Sequence, residues 1–388
     1  MANPEDIARA EAGRDVWNAW AEAELKIPEG GRANVDFSRE TLEVNFSGFI
    51  FPGFCNFSTT TFSGPTDFND AVFHNQPNFY DARFNRFANF SRVIFCESAD
   101  FSAAMFGDRT DFSDARFDGW TDFSGAAFNG KAVFNGATFG ELADFSNVKF
   151  TKYTNFSDGE FGGPAKFNNA MFRDATDFSG RRFAYAPLFH NATLHQDTSF
   201  SPGDALWTQF PTMGELFPDP KSLEAQADKI GQETERAYRT LKLAMSGFQA
   251  HREEMAFFAL EMRARAFHEP WHRKWFYWLY DEVSQYGHSL ARPLLWLAFL
   301  FPVFYIFYRE FFGLRSRVPL HDAALWYVTA AHSVPLPGLF RHVDDAEKIV
   351  FGDGAHFWLG LLMGAHTLSS AVLIFLFLLA IRNRFRIR

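Results

Sequence analysis

Phenylalanine recurs at an almost constant spacing through the first half of this 388-residue chain. Successive steps alternate between five and six residues, so the repeating unit is eleven residues long. A fixed internal period indicates stacked units that share one continuous core, because a single unit cannot bury its own apolar face. The spacing therefore predicts a solenoid. The series comprises Phe57, Phe62, Phe68, Phe73, Phe79, Phe84, Phe90, Phe95, Phe101, Phe106, Phe112, Phe117, Phe123, Phe128, Phe134, Phe139, Phe145, Phe150, Phe156, Phe161, Phe167, Phe172, Phe178 and Phe183.

The residues around each phenylalanine predict how one unit folds. The position two before Phe is usually small, as at Ala71 and Ala82, and the position directly before it is often Asp or Asn, as at Asp100 and Asn89. A large and a small side chain two residues apart point to the same side of an extended segment, while the polar residue between them points outward. Asp, Asn, Ser and Gly supply turn chemistry. Each half-unit is therefore predicted to be a brief strand followed by a turn.

With these features, residues 35–206 resemble the pentapeptide-repeat family. The resemblance implies a right-handed quadrilateral β-helix, a β-solenoid whose coils have four short faces with Leu or Phe and a small residue inside. This chain differs from the family's five-residue repeat, because every second step has a sixth residue. The expected coil consists of two eleven-residue units and is about twenty-two residues long. We assign residues 35–210 to this domain.

Helical patterns flank the predicted solenoid on both sides. Residues 1–34 include an amphipathic stretch with Trp17 and Trp20 on one face, which predicts a helix that caps the exposed end of the solenoid. Residues 211–285 carry helical periodicity, interrupted near Ser246 and Gly247, and are predicted to form a helical hairpin adaptor.

Two apolar stretches, at about 290–312 and 357–381, predict a two-helix transmembrane domain over residues 286–388. Cationic residues lie outside the pair, so the positive-inside rule places both termini and the β-helix in the cytoplasm. The lipid bilayer is thus the first predicted partner. The resemblance to bacterial membrane proteins that combine pentapeptide repeats with a channel-like tail implies a multi-pass location in the bacterial inner membrane. The flanking cations include Arg273, Lys274, Arg292, Arg382, Arg384, Arg386 and Arg388.

The loop between the spans, residues 313–356, contains an apolar run too short to cross a bilayer, followed by a Pro-rich segment. A span, a short re-entrant helix and a second span resemble the ion-channel domain of two-helix pore-loop proteins. The loop has no Thr-Val-Gly-Tyr-Gly filter, so potassium selectivity is not predicted. The pore or loop candidates in this segment are Trp326, Thr329, His332, Ser333, Pro335, Pro337 and Gly338.

The second span carries small and polar residues in its first half. Gly360 and Gly364 form a GxxxG pattern that predicts close helix packing. His366, Thr367 and Ser370 follow, and polar side chains inside a membrane usually face a partner or water. Two interpretations stay open: these residues line a pore, or they form a packing face with internally bonded hydroxyl groups.

Known catalytic and metal-binding patterns are absent from the sequence. Cys55 and Cys96 are isolated, and the twelve histidines include no His-Glu-x-x-His motif. We therefore predict no catalytic residue, no metal site and no cofactor, and expect the chain not to be an enzyme. The net charge of −9 and the lack of a basic patch argue against a nucleic-acid partner.

The leading functional hypothesis is a subunit of an oligomeric, channel-like pore. One two-span hairpin cannot enclose a pore, and the pore-loop resemblance implies a homotetramer. The cytoplasmic solenoid would bind an unidentified protein partner. One alternative is a membrane-tethered scaffold without a conducting path. Another is an acidic DNA mimic that regulates a topoisomerase, since some pentapeptide-repeat proteins resemble duplex DNA in shape and charge.

Overall fold

The protein forms two compact units, Met1–His268 and Glu269–Arg388. The structure is a computed structural model, and it describes residues 2–201, 207, 220–287, 289–311, 319–335, 340–351 and 357–385.

The first unit is built around a four-faced β-solenoid, as predicted. Within the described residues each face is a sheet of seven parallel strands. Sheet I contains Val35–Asp36, Cys55–Asn56, Pro77–Asn78, Ala99–Asp100, Thr121–Asp122, Ala143–Asp144 and Ala165–Lys166; sheet II contains Thr41–Leu42, Thr61–Phe62, Arg83–Phe84, Met105–Phe106, Ala127–Phe128, Lys149–Phe150 and Met171–Phe172. Sheet III contains Thr66–Asp67, Ala88–Asn89, Thr110–Asp111, Ala132–Val133, Thr154–Asn155, Thr176–Phe178 and Ser199–Phe200; sheet IV contains Ile50–Phe51, Val72–Phe73, Ile94–Phe95, Arg116–Phe117, Thr138–Phe139, Glu160–Phe161 and Arg182–Phe183.

The strand register confirms the predicted coil of two eleven-residue units. Phe95 pairs with Phe73 below and Phe117 above, twenty-two residues away in each direction. Each phenylalanine therefore lies over the equivalent residue of the next coil. The rings stack in parallel columns inside the solenoid, with centroid separations such as 4.8 Å for Phe90 and Phe112.

The alternation of five and six residues has a conformational cause. Each five-residue step contains a residue with positive φ, the step from Phe156 to Phe161 contains two, and within the described solenoid the six-residue steps contain none. A left-handed residue turns the chain in fewer residues, which is why Asp, Asn and Gly are frequent there. The Asp or Asn before Phe begins the same corner, as when Oδ1 of Asp100 accepts a hydrogen bond from the N–H of Ser102 at 2.8 Å. The left-handed positions are Arg39, Gly48, Thr59, Asp70, Asp81, Arg92, Ala103, Asp114, Gly125, Gly136, Asn147, Asp158, Gly159, Asn169, Gly180 and Asn191.

Arg181 is an exception to the apolar interior. It occupies a position that is small in most units, and its guanidinium is fully buried. Nε and Nη2 donate hydrogen bonds to the carbonyl oxygens of Phe156 and Phe134, each at 2.6 Å, and Nη1 donates to that of Ala137. Burial lowers the pKa of Arg181 to about 9, and the nearby Asp158 opposes that shift, so the group stays cationic at neutral pH.

The N-terminal end of the solenoid is covered by helices α1 (Pro4–Glu11) and α2 (Arg14–Glu24), followed by a 3-10 turn at Glu29–Gly31. The single predicted helix is divided because Gly13 has φ +94. Trp17 of α2 is buried, stacks on Phe49 and donates a hydrogen bond from Nε1 to the carbonyl of Ile50 at 2.8 Å.

The opposite end is covered by a helical hairpin, α3 (Pro220–Gly247) and α4 (His251–His268). Phe257 of α4 is buried and lies edge-to-face against Phe200 of the last coil, with ring centroids 5.5 Å apart. The hairpin thus continues the aromatic core beyond the final coil.

The second unit contains helices α5 (Trp271–Ser284), α6 (Ala291–Phe311), α7 (Pro319–Ser333), α8 (Val343–Phe351) and α9 (Phe357–Phe385). Helix α5, which the sequence prediction grouped with the adaptor, belongs to this unit. Helices α6 and α9 are long and apolar enough to cross a membrane over 20 and 28 residues. Only 11% and 22% of their apolar windows are buried within the chain, so they are not core helices of this unit.

Candidate functional site

A cluster of buried and half-buried polar side chains lies among the helices of the second unit. We call it the histidine cluster: Tyr308 of α6, His332 and Ser333 of α7, Glu347 of α8, and His366 and Thr367 of α9. Four of its six members were predicted from the sequence as pore or loop candidates. The six residues come from four different helices, and they meet because α7 packs against both α6 and α9.

His366 is at the centre of the cluster and is fully buried. Its Nδ1 lies 3.1 Å from the hydroxyl of Tyr308, and its Nε2 lies 3.1 Å from the hydroxyl of Ser333. The imidazole stacks on Phe304, with ring centroids 3.9 Å apart and planes inclined by 7°. A hydroxyl can donate or accept, so a neutral imidazole satisfies both contacts.

His332 forms the outer half of the cluster. Its Nδ1 lies 2.7 Å from the hydroxyl of Thr367, and its Nε2 lies 3.2 Å from a carboxylate oxygen of Glu347. An ionised carboxylate only accepts, so Nε2 donates. The Thr367 hydroxyl also donates a hydrogen bond to the carbonyl of Met363 at 2.9 Å. His332 therefore connects α7 to both α8 and α9.

The other predicted residues are distributed around this cluster. Thr329 is buried and donates a hydrogen bond to the carbonyl of Leu325 within its own helix. Ser370 is buried, and its hydroxyl has no hydrogen-bond partner among the described residues. Trp326 is exposed and lies edge-to-face against Phe301, while Pro335 is half-buried. Pro337 and Gly338 lie outside the described residues.

Gly360 and Gly364 are exposed on α9. A Cβ atom added at either position would meet no described atom within 4 Å. No described helix of the unit packs on this pair, so the close helix packing that the GxxxG pattern indicates stays a prediction.

Sequence reasoning missed the cluster roles of Tyr308, Glu347 and Phe304. Tyr308 lies 58 positions before His366 in the chain. A polar tip inside an apolar span is the signal that could have identified it. The sequence shows Glu347 only as one of several acidic residues in the loop, because no local pattern indicates that it contacts His332 of α7.

The chemistry available elsewhere is limited. Among the described residues, no group of three His, Cys, Asp or Glu side chains is arranged to hold a metal ion. Burial raises the pKa of both thiols, Cys55 well above its ordinary value and Cys96 by less. Neither thiol is activated as a nucleophile.

Replacing His366 with alanine is expected to destabilise the second unit by about 2 kcal/mol, since two buried hydroxyls lose their partner. The measurement is the thermal unfolding midpoint of the detergent-solubilised protein. Leu368→Ala, an exposed site on the same helix, is the control and should leave the midpoint nearly unchanged. Equal midpoints for the two variants would contradict a structural role for the cluster.

The family profile described as "Pentapeptide repeats (9 copies)" matches residues 46–94 and 112–159, both inside the solenoid. Comparison with curated proteins and with solved structures found no match to this chain.

Proposed function

We propose that this chain, whose solenoid matches the pentapeptide-repeat profile over residues 46–94 and 112–159, is a membrane-anchored subunit of an oligomeric, channel-like pore. The cytoplasmic solenoid is the part that binds a protein partner. Its interior is filled with stacked phenylalanine rings, so a partner binds on the outer surface of the sheets.

The membrane location rests on α6 and α9. Both helices reach the length needed to cross a hydrocarbon layer of about 30 Å, and their apolar side chains point away from the rest of the chain. Exposed Leu295, Phe299, Leu368 and Phe375 would be costly in water and favourable in lipid. The cations flanking the pair support a bacterial inner-membrane location with both termini and the solenoid in the cytoplasm.

The observation that carries the pore proposal is the placement of α7. Its 15 residues are too few to cross a bilayer. His332 and Ser333 join it to α9 by hydrogen bonds, and Trp326 lies edge-to-face against Phe301 of α6. A short helix held between two spans is the layout of a re-entrant pore helix, where non-helical backbone at membrane depth lines water. The open Gly360 and Gly364 surface on α9 offers a close contact to another copy, and four copies would enclose an axis.

A second function is favoured by a different observation. His366 is buried inside one protomer, and its ring contacts Tyr308, Ser333 and Phe304 rather than open space. A polar cluster whose hydrogen bonds are made within one protomer stabilises the packing of that protomer's helices. This arrangement fits a non-conducting scaffold that holds the solenoid at the membrane.

Oligomer mass and conductance separate these two functions. The full chain purified in detergent is expected to have the mass of several copies, and planar-bilayer recording is expected to show discrete currents. Gly360→Leu/Gly364→Leu should reduce both. Ser369→Ala is the control, because Ser369 is exposed and lies about half a turn around the helix from the glycine pair. A monomer without currents would contradict the pore, and an oligomer without currents would favour the scaffold.

A further inference from the structure

Helix α5 exposes large aromatic side chains that have no described partner element. Trp275, Phe276 and Trp278 are 50%, 59% and 65% exposed, and Leu279 is also exposed. Residues three and four apart share a helix face, so Trp275, Trp278 and Leu279 form one continuous apolar surface. Single exposed apolar residues are normal on protein surfaces, whereas several that adjoin one another indicate an interaction site.

The C-terminal end of α5 fixes the helix to its own unit. Val283 and Ser284 at this end are buried, and Arg292 donates hydrogen bonds from Nη1 to the carbonyls of Asp281 and Glu282 at 3.3 and 3.2 Å. The helix is therefore held at this end, while Trp275, Trp278 and Leu279 stay exposed.

The C-terminal end of α5 lies close to the start of α6 and the end of α9. Gly287 comes three residues after α5, and a Cβ atom there would lie 3.2 Å from Nδ2 of Asn383, near the C-terminus of α9. Helix α6 begins at Ala291, four residues later. The first residues of α6 and the last residues of α9 therefore lie at the same level, and α5 is at the boundary of the membrane region that these two helices define.

The charges on α5 identify the occupant of its apolar surface. Arg273 and Lys274 are exposed at its N-terminal end, and Arg273 also lies 3.4 Å from Glu269. Tryptophan is enriched at the level of lipid headgroups, where the ring is in apolar surroundings and its N–H stays in water. Cations next to such rings complement anionic headgroups. A second copy of the chain would not require this combination.

We propose that α5 is an interfacial helix that lies in the headgroup layer of the bilayer. Trp275, Trp278 and Leu279 enter the boundary of the acyl chains, and Arg273 and Lys274 contact the phosphates of anionic lipids. This inference rests on the proposed membrane insertion of α6 and α9, and it adds a lipid-binding surface outside the spans. The helix fixes the depth at which the second unit is held.

The test is spin-label depth measurement on the full chain in vesicles of phosphatidylcholine with phosphatidylglycerol. A Cys55→Ala/Cys96→Ser background removes the native thiols. Single labels are introduced by Trp278→Cys, by Leu279→Cys as a second site on the same surface, by Phe299→Cys on α6, and by Tyr80→Cys on the exposed solenoid. Accessibility to oxygen and to an aqueous nickel complex is measured at each label.

Labels at positions 278 and 279 are expected to be several-fold more accessible to oxygen than to nickel, and the label at position 80 should show the reverse. Arg273→Gln/Lys274→Gln should shift both α5 labels toward water in the presence of phosphatidylglycerol. A label at 278 open to nickel while that at 299 is shielded would overturn the inference and keep the spans. Nickel access at 299 would overturn the spans themselves. Shielding of 278 from both reagents would indicate a protein contact, and would also overturn the inference.

Discussion

Replacing Phe112 with alanine is expected to lower the free energy of unfolding of the solenoid by about 3–5 kcal/mol. The ring is fully buried and stacks between Phe90 and Phe134, with centroid distances of 4.8 and 5.0 Å. It also lies edge-to-face against Phe101 and Phe123. Removing it leaves a cavity that the flanking coils cannot close, because their strands are held in register on both sides.

Urea unfolding of the detergent-solubilised chain, followed by the β-sheet signal in circular dichroism, measures this loss. Met105→Ala is the matched control, since Met105 is exposed on the face of the solenoid directly before Phe112. The control is expected to change the free energy of unfolding by less than about 0.5 kcal/mol. Comparable losses in the two variants would mean that the stacked rings do not form the core.

Gly159→Ala is expected to lower the free energy of unfolding by about 3–4 kcal/mol. Gly159 has φ +68, and an added Cβ would collide with the carbonyl oxygen of Ala137 and lie 2.7 Å from Nη1 of Arg181. The missing side chain at Gly159 is what lets the buried guanidinium reach two coils down the solenoid. The substitution would therefore impose backbone strain and displace Arg181 from its three carbonyl acceptors.

Gly125→Ala is a matched control, because Gly125 has φ +70 and open space around the Cβ position. Its expected cost is the backbone strain alone, about 1 kcal/mol. The difference between the two variants, measured by the same urea unfolding, gives the cost of the collisions with the Ala137 carbonyl and Arg181. Equal costs would mean that neither group crowds the Cβ position at Gly159.

The sequence predicted much of the histidine cluster but not its connections. His332, Ser333, His366 and Thr367 were recognised because polar residues inside apolar segments are costly and therefore usually have a role. Which side chains they contact depends on the packing of α7 against α6 and α9. That packing is a long-range property, and no local pattern encodes it.

The fold of the first unit was predictable because its contacts are regular. Each coil repeats the same steric rule, so the period of phenylalanine specifies the strands, the register and the stacked core at once. The two long apolar helices of the second unit were predictable for a similar reason, since about twenty apolar residues in a row meet a simple length requirement.

Only the tertiary structure decided the features that break these patterns. Arg181 occupies a repeat position that is usually a small apolar residue. Its charged side chain can be buried there because Gly159, one coil away, has no side chain. The exposed aromatic surface of α5 can be identified only in the structure, where the C-terminal end of the helix packs against its own unit and the aromatic residues before it do not. Repetition is local and can be read along the chain, whereas single exceptions are decided by neighbours that are distant in the sequence.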